Sequence, residues 1–243
     1  MATAKDIIVK PITAKAANAL VKSVHYSGKV VPNSQLHLGV YLNGKLEGAM
    51  QFGPSMVKKG VIGLVEGTGW NGFIELNRMA FSDRLPRNSE SRAIAIAMKL
   101  IRKHYPGIEW VISFADGTQC GDGTIYRASG FVLTAVKPNG TLRINPSTGQ
   151  PMQAMAAFHA GKTRYFKSWD KLQGFQLRYI YFINPDARQR LTVPTLPFSK
   201  IEEMGAGMYR GEKITRAKEQ DSGHPPELGG VTPTRTLHTT EAV

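Results

Sequence analysis

Between Phe73 and Ala115 the hydrophobic period changes twice, and that switch limits the possible folds more than any other feature of the chain. Phe73-Ile74-Glu75-Leu76-Asn77-Arg78-Met79-Ala80-Phe81 alternates like a strand, with Asn77 and Arg78 expected on opposite faces. Ile94, Ala97, Met98 and Ile101 then repeat at i, i+3, i+4 and i+7, one face of a helix that Asn88 or Ser89 can cap. Trp110-Val111-Ile112-Ser113-Phe114-Ala115 follows as a continuously apolar strand of the buried kind. A helix between two such strands is a crossover, so an α/β domain with a mixed central sheet is expected.

The remaining elements extend this unit. Ile7-Ile8-Val9 reads as a short opening strand, and Thr13 as the N-cap of a helix built on Ala16, Ala17, Leu20 and Val24. That helix delivers His25-Tyr26-Ser27-Gly28 at its C-terminal end. Asn43-Gly44 is a two-residue hairpin turn between strands at 36–42 and 46–52. Asp116 ends the 110–115 strand. A polar loop with Gly121 and Gly123 then leads to a short helix at 124–128 and a strand at 131–136. The pattern fades into turns from Lys137 to Gly161, and Gln176–Ile183 is expected to be the last strand of the sheet. One domain over 1–200 is expected, with 201–243 a polar, flexible tail that is Pro/Gly-rich after about Gly211.

Composition narrows the class of partner. The 243 residues carry 31 Lys and Arg against 18 Asp and Glu, a net charge of +13, and such a field attracts polyanions. Twelve Lys/Arg against five Asp/Glu lie between Lys162 and Lys218, interleaved with Tyr165, Phe166, Trp169, Phe175, Tyr179 and Tyr181. For Tyr179 and Tyr181 a core position is the preferred reading. With 42% hydrophobic residues the chain can build a core, which excludes general disorder. No apolar run reaches the roughly 18–20 residues of a membrane span and no secretory leader is evident, so a soluble cytoplasmic protein is expected. A single cysteine, Cys120, excludes an internal disulfide and a zinc site of several thiolates within the chain. Any metal would need His, Asp, Glu or Tyr ligands.

Two places suit chemistry, because open α/β sheets bind ligands at the carboxyl ends of strands and at helix N-termini. At Arg87-Asn88-Ser89-Glu90-Ser91-Arg92, hydroxyls and guanidiniums surround a helix start and could hold a phosphate; the same residues also read as an ordinary capped helix. Asp116 stands at a strand end before Gly117, placed as a base or metal ligand, or as the start of a plain turn. His25-Tyr26, Arg78 and Tyr126 could reach the same edge. A Gly-x-Ser-x-Gly elbow and a His-Glu-x-x-His pair are both absent.

Glu75-Leu76-Asn77-Arg78, then Asp83, Pro86, Asn88 and Ser91, resemble in order and spacing a motif of the Mom DNA-modification family. Ser113–Asp116, Gly123–Ala128, His25-Tyr26 and Phe52-Gly53-Pro54 continue the resemblance over about residues 5–200. It implies a GNAT-like mixed sheet flanked by helices, with the basic C-terminal third as an extension. Where GNAT enzymes place a glycine-rich pyrophosphate loop, this chain reads Arg84-Leu85-Pro86-Arg87-Asn88-Ser89. The implied activity is conversion of adenine in double-stranded DNA to N6-(methylcarbamoyl)adenine, shielding phage DNA from host restriction enzymes. An anionic small-molecule donor (acetyl-CoA or another acyl donor) and iron are implied as cofactors. The implied catalytic residues are His25, Tyr26, Arg78, Asp116 and Tyr126. Ser91, Asn88 and Arg87 would bind the donor, and His25 and Asp116 would ligate iron. The alternative is a GNAT-type N-acetyltransferase acting on a small amine or protein.

Overall fold

The computed structural model describes residues 2–213 apart from 119–120, 150 and 210–211. In chain order the regular elements begin with β1 (Ile8–Pro11), α1 (Ala14–Val24), β2 (Leu36–Leu42), β3 (Lys45–Gly53), α2 (Lys58–Val61) and β4 (Phe73–Phe81). They continue with α3 (Ser89–His104), β5 (Trp110–Asp116), α4 (Thr124–Ala128), β6 (Val132–Asn139), β7 (Leu142–Ile144) and β8 (Pro151–Gln153). Last come α5 (Ala154–His159), α6 (Thr163–Phe166), β9 (Gly174–Phe182), α7 (Ser199–Glu203), β10 (Met208–Tyr209) and β11 (Glu212–Lys213).

Seven strands form one mixed sheet in the order β1-β2-β3-β4-β5-β9-β6. Thr13 caps α1 as expected, its Oγ1 accepting from the Ala16 N–H at 3.2 Å. The β2–β3 hairpin turns through Asn43 (φ 49°) and Gly44 (φ 77°), both left-handed, which is the backbone a two-residue hairpin loop demands. The 73–115 unit forms the crossover: β4 and β5 are parallel, and α3 covers the step between them. β9 is the last strand to join, yet it inserts between β5 and β6 instead of extending the edge. It is antiparallel to both neighbours and completes a central strand.

Two apolar layers cover the sheet. Ile94, Ala97, Met98 and Ile101 of α3 pack with Leu76, Val111, Ala115, Leu177 and Tyr179 on one face. On the other, Trp110 stacks on Phe73 at 4.2 Å, joined by Ile112, Ile180 and the short turns around Leu64 and Ala187. The packed body continues past residue 200: Ile201 and Ala206 are fully buried against the α3 layer, so the expected boundary of a flexible tail falls inside α7. Two apolar positions in a polar, glycine-containing stretch are too sparse to show a period. Residues 214–243 of that expected tail lie outside the described residues.

Phe175 and Tyr179 are buried in the core and Tyr181 packs against it, as their positions on β9 require. Tyr165, by contrast, is exposed. Two cations of the basic segment are committed internally. Arg178 donates from Nε to Thr134 Oγ1 at 3.0 Å, and Arg190 pairs with Glu109.

Candidate functional site

β4 and β5 pair only over Phe73–Leu76 and Trp110–Ser113. Beyond that point β4 runs on with β3, and β5 runs on with β9. The sheet therefore forks between its two parallel strands, and the carboxyl ends of both strands flank the opening. α3 starts at the same edge, directly after the β4 loop. Arg78 lies on one arm of the fork and Asp116 on the other.

A bulge arms the β4 side. Opposite β3 the register passes from Gln51–Arg78 to Phe52–Leu76, leaving Asn77 as an extra residue. Leu76 and Met79 both pack into the α3 layer, so the two residues between them both face the 25–35 loop. Ser34 Oγ donates to Asn77 Oδ1 at 3.1 Å, and Arg78 Nε donates to the Lys29 carbonyl at 3.0 Å. The expectation that Asn77 and Arg78 point to opposite faces is thus corrected, because one inserted residue shifts the pleat. The guanidinium also donates to the Asn77 carbonyl at 2.8 Å.

His25 faces this arginine. It closes α1, its N–H donating to the Val21 carbonyl at 3.0 Å, and its ring lies 4.3 Å from that of the exposed Tyr26. Burial, reinforced by the Arg78 charge, pushes the imidazole down to about 4. The ring is therefore neutral at pH 7. Its Nδ1 accepts the Ser27 N–H at 3.1 Å and lies 2.9 Å from Ser27 Oγ. A backbone N–H can only donate, so this network assigns the lone pair to Nδ1 and the ring proton to Nε2. His25 thus offers a neutral N–H donor.

Glu75 is the residue that sequence reasoning did not single out. Burial raises its carboxyl above the usual range, opposed by hydrogen bonds from Ser55 and Asn77 and by the Arg78 charge. In the sequence it opens the Glu75–Arg78 motif but is assigned no role of its own. Only the fold shows that it shares a face with Asn77, Arg78 and His25.

Tyr126 occupies the root of the fork from the α3 side. Its hydroxyl is 3.0 Å from Ser113 Oγ, which lies 3.5 Å from the Leu76 carbonyl at the last paired position. Its ring stacks on Tyr179 at 4.3 Å and 9°. Gly123, before α4, has φ +77°, and a Cβ there would overlap the Tyr179 hydroxyl, so only glycine fits.

Asp116 alternates with Ser113 and faces away from Tyr126. Burial raises its carboxyl, opposed by the Thr118 N–H at 2.9 Å and by Gln153. Among the described residues, no group of three or more His, Cys, Asp or Glu side chains could hold a metal. His25 has its Nδ1 engaged and a guanidinium beside it, and Asp116 is held by Thr118 and Gln153. These residues do not fit an iron centre of the expected His25–Asp116 kind.

The α3 start fits an anion better. Neither expected cap forms. Asn88 takes the left-handed conformation (φ 67°) with no side-chain cap bond, and Ser89 Oγ is buried without a partner. Ser91 Oγ donates to the Asn88 carbonyl at 3.2 Å, and Arg87 is exposed at the helix start, while Arg92, also exposed, lies near Asp6. Arg84 is committed elsewhere, both Glu47 oxygens accepting from its Nε at 2.9–3.0 Å. Asn88 supplies without glycine the backbone turn that a glycine loop would make.

His25, Tyr26, Glu75 and Arg78 therefore form one group. Asp116 stands across the fork from it, Tyr126 lies at the root on the opposite face, and Arg87, Asn88 and Ser91 surround the helix mouth. The forked sheet and its polar lining define a mixed α/β protein whose candidate ligand site lies between two parallel strands.

The comparison with known families names the group: a model of the Mom protein family matches residues 6–200, and the chain belongs to that family. A curated relative, methylcarbamoylase mom of Escherichia phage Mu, is 36% identical over 193 residues, covering 77% of this chain and 80% of the relative. Among solved structures, an N-acetyltransferase from Staphylococcus aureus Mu50 aligns at a TM-score of 0.47 and 8% identity, over 73% of this chain and 99% of that one. The ribosomal-protein-S18-alanine N-acetyltransferase of Escherichia coli aligns at 0.45 and 9%, over 73% and 94%. Among the described residues no helix is long and apolar enough to cross a membrane.

Proposed function

We propose that this chain transfers a carbamoylmethyl group to N6 of adenine in double-stranded DNA, giving N6-(methylcarbamoyl)adenine and masking phage DNA from host restriction enzymes. The observation that carries the reading is that the family match spans every fork position, from His25 and Arg78 through Ser91 to Asp116 and Tyr126. The relative's methylcarbamoylase activity supplies the chemistry. The charge of +13 suits a polyanionic substrate.

The fork divides the work between the two faces of the sheet. A base inside a duplex cannot present N6 to a recessed site, so the adenine is extruded and enters from the His25 side. The donor, an anionic small molecule with a leaving group on its carbamoylmethyl carbon, enters from the α3 side. Arg87 and the N-terminal turn of α3, with Asn88 and Ser91, hold its anion.

N6 is a poor nucleophile because its lone pair is delocalised into the ring. The product carries a CH2 carbon on N6, so the bond forms to the methylene and the leaving group departs with its electron pair. Glu75 accepts the proton that N6 loses, and its raised carboxyl makes it a better base than a solvated glutamate. The neutral His25 donates from Nε2 to the amide carbonyl or a ring nitrogen, and Arg78 steadies the developing negative charge. Tyr126 protonates the departing group, with Ser113 fixing its hydroxyl. Asp116 orients the Gln153 side of the opening. No step is assigned to iron.

Mass spectrometry of nucleosides from DNA of cells expressing the chain tests the reading. An adenosine with one N6 hydrogen replaced by CH2CONH2 is expected with the wild type and lost with Asp116→Ala. Unmodified DNA together with acetyl transfer to an amine without DNA would overturn it in favour of an N-acetyltransferase.

A further inference from the structure

The connection between β3 and β4 begins with an apolar turn, just before α2, for which the chemistry above has no use. Met56 and Val57 are 73% and 55% exposed, and the polypeptide holds them out in solvent side by side. Their stem is fixed. Asn33 Nδ2 donates to the Pro54 carbonyl at 2.6 Å, and the Val57 N–H donates to Ser55 Oγ at 3.3 Å. Ser55 is itself buried and hydrogen-bonds Glu75, the carboxylate beside Arg78. The tip therefore stands one residue from the His25–Glu75–Arg78 group, on its rim.

The flanking chemistry selects the occupant. Lys58 and Lys59 follow directly, and the Lys58 ammonium is braced 4.6 Å over the half-exposed Trp70 ring and 3.4 Å from Asn71 Oδ1. An apolar point with cations at its base matches stacked bases bordered by phosphates. Even with the Trp70 ring, three side chains are far too little apolar surface to hold a second copy of this chain. Extruding an adenine leaves a gap in the stack that would draw the base back, and a side chain filling that gap prolongs the extruded state.

We propose that Met56 and Val57 enter the duplex as a wedge, filling the gap left by the extruded adenine while Lys58 and Lys59 hold the adjoining phosphates. The inference rests on the DNA-modification reading and names the surface through which that site takes its substrate.

The test combines two measurements on the full chain. Modified adenosine is counted in DNA from expressing cells, and purified protein is bound to a mixed-sequence duplex and probed with permanganate, which oxidises unstacked thymines. Met56→Ser with Val57→Ser is expected to lower modification about tenfold and to remove the reactive thymines, while duplex affinity stays within about twofold because the lysines remain. Met56→Leu with Val57→Ile restores both signals. Wild-type modification undiminished in the serine variant would overturn the wedge and leave the enzyme reading intact. Loss of signal in the leucine–isoleucine variant as well, or a wild-type dimer that the serine variant dissociates without losing activity, would also overturn it. Absence of modified adenosine from the wild type would instead overturn the reading on which the wedge rests.

Discussion

Replacing His25 with Gln should flatten the acid side of this protein's stability curve. The imidazole titrates near 6.5 when unfolded and is pushed down to about 4 when folded, so between those values the unfolded chain binds more protons. Stability therefore falls as pH drops through that window, and the group contributes no further slope below about 4. At pH 5 the two values give RT ln[(1 + 10^1.5)/(1 + 10^−1)], about 2 kcal/mol against folding, with almost nothing at pH 7. Partial exposure of the ring reduces this to about 1–2 kcal/mol. Urea unfolding at pH 7 and pH 5 measures it. The wild type should lose about 1–2 kcal/mol more than His25→Gln on acidification, since His37 and the carboxylates are common to both proteins. Equal losses would refute both the burial of the imidazole and its coupling to Arg78.

Removing that arginine charge with Arg78→Gln should raise the His25 titration seen by NMR, with burial alone then depressing it. Glu75→Gln should abolish the acid limb of the pH–rate profile, because the raised carboxyl that accepts the proton is gone; an unchanged limb assigns the base elsewhere. Gly123→Ala should destabilise the fold by about 1–3 kcal/mol in denaturant melts, because φ +77° and the Tyr179 hydroxyl both exclude a Cβ. It should also displace Tyr126 through the Tyr179 stack and lower turnover. Ser89→Ala removes a buried hydroxyl without a protein partner, so denaturant melts should show a gain of up to about 1 kcal/mol.

Much of the frame was legible because period and turn chemistry are local. The strand–helix–strand switch over 73–115, the Thr13 cap and the Asn43-Gly44 turn each specify their own element through the spacing of a few residues, and all three form. Asp116 and Tyr126 were legible as candidates for the same reason, at the ends of a strand and a short helix. What the linear order could not show is how far two paired strands stay together. The β4–β5 ladder stops after Leu76 and Ser113, and that termination opens the candidate site.

The chain's own pattern thus determined an α/β sheet with a parallel crossover, a positive field and a set of polar residues at strand ends. Tertiary structure decided which of them lie together. The Asn77 bulge turned two adjacent side chains to one face, Glu75 became a half-buried carboxyl beside Arg78, and the β5–β9 pairing set Asp116 on the opposite arm. The tertiary fold also drew β9 between β5 and β6 and carried the core through Ile201 and Ala206. Those outcomes depend on contacts between residues distant in the chain, and local spacing holds no record of such contacts.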